Sequence, residues 1–140
     1  KAFFLKKGNF LKQSYILDLK KKTLNSKKDN RICLNQNKTS SLHIMINCLI
    51  KKKNYSPHKH IKKDEFYYLL DGKLKIIFVD RKNKELNSFT ITKKNNFFYL
   101  NKNIIHYTIP LTTTCTFIEA RPGPFKISDT VIYKLFKKNK

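Results

Sequence analysis

An all-β domain, an antiparallel sandwich or barrel preceded by one α-helix, is the fold this sequence predicts, on three observations. From residue 43 onward the chain falls into short β-rich runs separated by polar turns, at 43–50, 65–70, 73–80, 88–92, 96–100, 104–109 and 114–120. Short strands at that spacing, with no helical stretch between them, build antiparallel sheets and not βαβ units. Asp71-Gly72 stands between two of the runs and is a two-residue hairpin signal, because glycine accepts positive φ without steric cost. Upstream, Leu11, Tyr15, Ile16, Leu19 and Leu24 recur at roughly helical spacing before the breaker-rich stretch 25–30.

The elements follow in that order. One amphipathic helix between Leu11 and Leu24 leads into a loop, and a second hairpin turns through residues 81–84. After Ala120 comes Arg121-Pro122-Gly123-Pro124, whose two prolines lack the donor N–H of a central strand, so the chain is expected to leave the barrel there. This divides the chain into a helix and lead-in segment (1–40), a β-barrel (41–125) and a C-terminal tail (126–140). At 140 residues one compact domain is the expectation, and 40% hydrophobic content with eleven Phe and seven Tyr is sufficient for a packed core.

The formal charge of +22 would ordinarily suggest nucleic acid. The basic residues, however, are 28 lysines and only Arg31, Arg81 and Arg121, whereas bidentate phosphate and guanine contacts favour Arg. The lysines are scattered, Asn and Ile are abundant, and Ala and Gly are scarce, a pattern of A/T-rich codon drift. No nucleic-acid partner is therefore expected, though such a field still steers anionic molecules. Cys33, Cys48 and Cys115 form an odd set with no CxxC pair, which fits reduced thiols in a cytoplasm. No apolar run approaches the ~18 residues that span a bilayer, so no membrane partner is expected either.

The chemistry is concentrated between Pro57 and Gly72, PHKHIKKDEFYYLLDG. On a strand, residues i and i+2 share a face, so His58 and His60 point into one space. Glu65 on the neighbouring strand completes a facial set of two histidines and one carboxylate, which suits one divalent ion (Fe, Mn, Ni or Zn) with coordination positions left open. Of the chain's four histidines a third, His106, lies in IIHYTI, where alternation sets His106 and Thr108 opposite Ile105, Tyr107 and Ile109.

These residues resemble the first cupin motif, HxH followed by a glutamate and a glycine, and His106 is similar to the single histidine of the second. That second motif usually reads Pro-x-Gly-x-x-His; here Asn103 stands for the glycine, and Asn tolerates the left-handed conformation better than other non-Gly residues. The resemblance implies a single cupin, a jelly-roll-like antiparallel β-barrel, with His58, His60, Glu65 and His106 as metal ligands.

More narrowly, residues 11–130 resemble the WbuC family of cupin-fold metalloproteins. The matching features are the leading helix, Arg31 with Asn35 and Asn37, the segment Tyr55-Ser56-Pro57-His58-Lys59-His60, and above all Glu119-Ala120-Arg121-Pro122-Gly123-Pro124-Phe125. Cys33 and Thr39 stand where the family tends to carry Arg and His. The resemblance implies a bacterial protein often associated with surface-polysaccharide (O-antigen or capsule) gene clusters, and supplies no substrate; a small anionic or sugar molecule is the partner expected here. Arg31, Asn35, Asn37, Tyr67 and Glu119 are the residues expected to face it. A metal-assisted keto-sugar isomerase or epimerase is the first functional expectation; an iron-dependent dioxygenase and a non-enzymatic carbohydrate-binding module are the others. A homodimer through sheet edges is compatible with the fold.

Overall fold

The structure, a computed structural model, describes residues 2–4, 11–52 and 55–133. In chain order its elements are β1 (Ala2–Phe4), α1 (Gln13–Ser26), β2 (Asn30–Cys33), β3 (Leu42–Ile50), β4 (His58–His60), β5 (Glu65–Asp71), β6 (Leu74–Val79), β7 (Glu85–Ile91), β8 (Phe97–Leu100), β9 (His106–Pro110), β10 (Thr114–Pro122), a 3-10 turn at Ile127–Asp129, and β11 (Thr130–Ile132). Among the described residues the strands form two sheets, one in the order β1-β2-β3-β10-β5-β8 and the other β11-β4-β9-β6-β7. Every pairing is antiparallel except that of β1 with β2. This is the expected barrel with a leading helix.

Helix α1 has no capping side chain at Lys12 and no acidic residue in its first turn, so its stability rests on packing. Leu19, with Leu11 and Tyr15 beside it, buries against Ile32, Ile46 and Cys48 on the outer face of the first sheet. The helix ends where Lys27 turns left-handed (φ 51°) and its N–H reaches the Leu24 carbonyl.

Both hairpins form as expected. Gly72 holds φ +85°, and a Cβ there would lie 2.5 Å from the Thr112 hydroxyl and 2.7 Å from the Thr114 carbonyl. Asn83 (φ 63°) turns β6 into β7, while the Asp80 carboxylate accepts from the N–H groups of Lys82 and Lys84.

The interior changes character along the barrel axis. Alternation on β5 turns Glu65, Tyr67 and Leu69 inward, and all three are buried. Leu69, Leu74, Ile76, Ile91, Leu100, Cys115 and Phe117 pack as an apolar plug at one end. Toward the other end the same inward faces carry Glu65 and Glu119, so the core becomes a polar cavity.

Two expectations about the chain's end are corrected. Strand β10 does not stop at Ala120 but runs to Pro122, opposite Leu42 of β3. Its pairing with β5 ends at Ala120, so beyond that point one side of β10 has no ladder, and Pro122 forfeits no hydrogen bond there. Nor does the chain then leave the barrel: Gly123 and Phe125 donate to the Ser41 and Lys38 carbonyls, and β11 pairs with β4. Buried Lys63 anchors this return, its ammonium reaching the Pro124 carbonyl and, at 3.1 Å, the Asp129 carboxylate. The stretch 126–133 is thus a strap closing one side of the cavity; residues 134–140 of the expected tail lie outside the described residues.

Candidate metal centre

Three of the four expected ligands come from one sheet and the fourth from the other. His58 on β4 is the direct partner of His106 on β9, and His60 lies two residues on, opposite Thr130 of β11. Glu65 opens β5 in the facing sheet. Glu65, His60 and His106 are almost completely buried, and His58 is half-buried. The ring centroids are 4.5 Å apart for His58 and His106, 5.2 Å for His58 and His60, and 6.3 Å for His60 and His106.

Glu65 spans two of the rings. Its Oε1 lies 3.0 Å from His60 Nε2 and its Oε2 3.2 Å from His106 Nε2; the Tyr67 hydroxyl donates to Oε2 at 3.0 Å. Each imidazole is also engaged at its other nitrogen. His106 Nδ1 is 3.0 Å from the Ile104 carbonyl, His60 Nδ1 3.0 Å from the Thr130 hydroxyl, and His58 Nδ1 3.4 Å from the Ser56 carbonyl. Asn103 takes φ 66°, the left-handed turn the sequence requires before His106.

Burial pushes the Glu65 carboxyl up, but hydrogen bonds from His106 and His60 outweigh it and hold the group below the usual carboxylate range. Burial, reinforced by His106, lowers His58 to about 4, so at neutral pH this ring is uncharged with a lone pair to offer. Burial likewise raises Tyr67, which keeps its proton, and Glu119.

The donor set suits a cation. A backbone carbonyl can only accept, so His106 Nδ1 carries the hydrogen it shares with Ile104. Nε2 then faces a carboxylate oxygen that also only accepts, and a positive charge must lie between them, whether a proton or a metal ion. Among the described residues no group of three or more His, Cys, Asp or Glu is arranged to hold a metal ion as it stands; Glu65 lies directly against His60 and His106 instead. Arg121 adds a competing positive charge. Its Nη1 is 3.2 Å from His60 Nε2, 3.6 Å from Glu65 Oε1 and 3.5 Å from Glu119 Oε1.

Beside these groups opens a cavity of about 450 Å³, within the usual range for small-molecule sites. Of the residues expected to face a substrate, Arg31, Tyr67 and Glu119 line it. Asn35 and Asn37 do not. Asn37 Oδ1 is occupied by the Thr39 N–H and hydroxyl, and Asn35 Nδ2 donates to the Asn37 carbonyl, so both brace the loop after β2. Residues outside the expected site set also contribute. Arg121 lies two residues past Glu119 and so shares its face, a signal alternation could have supplied. Asn47 donates to Glu119 Oε2 at 2.8 Å, a contact set by the register of β3 on β10. Thr130 carried no local signal.

The arrangement is the cupin fold, and solved structures agree. CapF, in complex with the inhibitor 3-isopropenyl-tropolone, matches with a TM-score of 0.62 at 16% identity, over 75% of this chain and 31% of that one. Oxalate decarboxylase from Bacillus subtilis matches at 0.54 and 19% identity, over 66% of this chain and 24% of that one. Pumpkin pro-11S globulin matches at 0.51 and 11%, over 66% and 23%. The chain thus spans about a third of these proteins or less. Since one is a decarboxylase and another a globulin, the likeness defines the fold alone. No family model matches the chain, and no curated protein does. Among the described residues no helix is long and apolar enough to cross a membrane.

Proposed function

We propose that this chain is a metal-dependent cupin acting on a small sugar or nucleotide-sugar intermediate of bacterial surface polysaccharide (O-antigen or capsule) synthesis, as an isomerase or epimerase. The observation that carries the reading is the meeting of His58, His60 and His106 with Glu65, each imidazole held at Nδ1 so that Nε2 is the nitrogen left for a cation. The WbuC resemblance supports the pathway: Glu119, Arg121 and Phe125, from its most specific segment, all line the cavity.

The four residues would hold the ion, and the chemistry it supplies when bound is polarisation of a substrate carbonyl. The remaining work falls to the chain. Glu119, its carboxyl raised by burial and steadied by Asn47, would take and return a proton at the carbon beside that carbonyl. Tyr67, held protonated, orients Glu65 through its hydroxyl. Phe125 and the strap residue Ile127 limit water on one side.

The test is elemental analysis of protein purified without a histidine tag, followed by solvent-deuterium exchange into keto-sugars under anaerobic conditions. Stoichiometric metal, and exchange abolished by Glu119→Gln, are expected. Turnover that requires dioxygen would instead identify an oxygenase.

One observation favours a second reading. Arg121 already sets a positive charge beside His60, Glu65 and Glu119, the role a cation would fill, as in a metal-free binding module. In that case metal is substoichiometric and ligand affinity survives chelation.

A further inference from the structure

Among the described residues, two of the chain's three arginines, Arg31 and Arg121, line the cavity, and no described lysine does. Lysine drift across tolerant positions does not produce that sorting. A guanidinium is retained where a planar fork of donors is required, a requirement that an ammonium on a flexible stem cannot meet.

The two arginines differ in what they touch. Arg121 is committed to Glu65, Glu119 and His60. Arg31 sits on β2 opposite Asn47, exposed at the rim. Its Nη1 approaches the Met45 sulfur at 3.7 Å, and among the described residues it has no carboxylate within ion-pair distance, although its charge helps hold the buried Glu119 carboxyl down.

We propose that the cavity takes a carboxylate-bearing small molecule, with the carboxylate paired to the Arg31 guanidinium and the body of the ligand lying against the strap. This rests on the cavity being a substrate site, but not on the metal. A bidentate guanidinium–carboxylate pair needs one arginine and no other donor. A guanidinium forks onto phosphate as well, but a phosphate seat commonly adds backbone N–H groups from a helix N-terminus or a glycine-rich loop, and the cavity lining contains neither glycine nor any residue of α1; the phosphate arm of the titration separates the two anions. The opposite wall is apolar. Ile127 and Ile132 are 80% and 70% exposed, and with Phe125 they present C–H surface to the body of such a ligand. Within the reading above, the substrate is an acidic sugar and not a neutral one.

The experiment is calorimetric titration of the full chain, metal-loaded and chelator-treated, with glucuronate, glycolate and benzoate. Each is paired with its neutral counterpart (glucose, glycolamide, benzamide), and glucose 1-phosphate serves as the phosphate arm. At least one acid should bind, with its neutral partner about tenfold weaker or worse. Arg31→Gln should weaken that acid by about ten- to a hundredfold, and Arg31→Lys, which keeps the charge but loses the fork, should fall between. The proposal is overturned if no acid binds, if a neutral partner binds equally, if glucose 1-phosphate is preferred to every acid, or if Arg31→Gln changes nothing. Metal content measured on the same samples separates the two ideas. Acid binding that depends on Arg31 in protein that takes up no metal would sustain this proposal while removing the metal reading.

Discussion

His58 and His106 are direct partners across β4 and β9, their rings 4.5 Å apart and Nδ1 of each turned to a backbone carbonyl, Ser56 for one and Ile104 for the other. The pairing fixes both rings by backbone geometry alone, since each carbonyl lies only two residues before its histidine.

The carboxylate is the member that should matter most to a bound ion, because it lies against both His60 and His106. Glu65→Gln keeps the shape and removes the charge. Metal affinity is expected to fall by about a hundredfold or more, at or beyond the upper end of the ~10–100-fold that loss of a supporting residue costs. Titration with a competing chelator measures it.

Thr130 reaches His60 from the strap through its hydroxyl. Thr130→Val should lower metal affinity by ~10–100-fold, and Thr130→Ser should restore most of it, because only the latter keeps the oxygen. Loss in Thr130→Ser with none in Thr130→Val would mean that the β-branched methyl matters and the hydroxyl does not.

Acid should destabilise the metal-free chain in a defined window. His58 is lowered to about 4 when folded, against about 6.5 unfolded, so between those values the unfolded state binds the extra proton. Stability contributed by the neutral ring is therefore fully present above pH ~6.5 and lost as pH falls toward ~4, on the order of 3 kcal/mol for a ring buried to this extent. Glu65, also held low, adds a loss of the same sign at still lower pH. Urea melts in chelator should show the slope between pH ~4 and ~6.5, and His58→Gln should flatten it.

Gly123 lets the strap pass close to the loop before β3. A Cβ there would fall 1.7 Å from the Ser40 carbonyl oxygen and 2.8 Å from the His43 ring. The first contact is with backbone, which cannot swing aside, so Gly123→Ala should cost at least the ~1–3 kcal/mol typical of overpacking. It should also weaken metal binding, because Thr130 travels with the strap. Denaturant unfolding and metal titration on one preparation test both.

How much of this was legible depends on the range of the signal. Strand positions, the Asp71-Gly72 turn and the left-handed Asn103 follow from local chemistry, and the structure has them. The grouping of His58 with His60 needed only period two. What local signals could not supply is register: Asn47 reaches Glu119 because β3 lies where it does on β10, and nothing near Asn47 in sequence says so. The same blindness misplaced Asn35 and Asn37, whose spacing suits a turn as well as a site. It also turned the strap into a tail, since the prolines at 122 and 124 break a strand only where both its edges are paired.

Glu65 belongs to one sheet, and His58, His60 and His106 to the other. An ion held by all four would act as a rivet through the sandwich, so its loss would loosen the two layers from each other, not merely empty a pocket. At a free concentration a hundred times its dissociation constant, such a rivet adds about 2.7 kcal/mol to folding. The lifetime of the protein would then follow the metal supply of its surroundings even where no substrate is present.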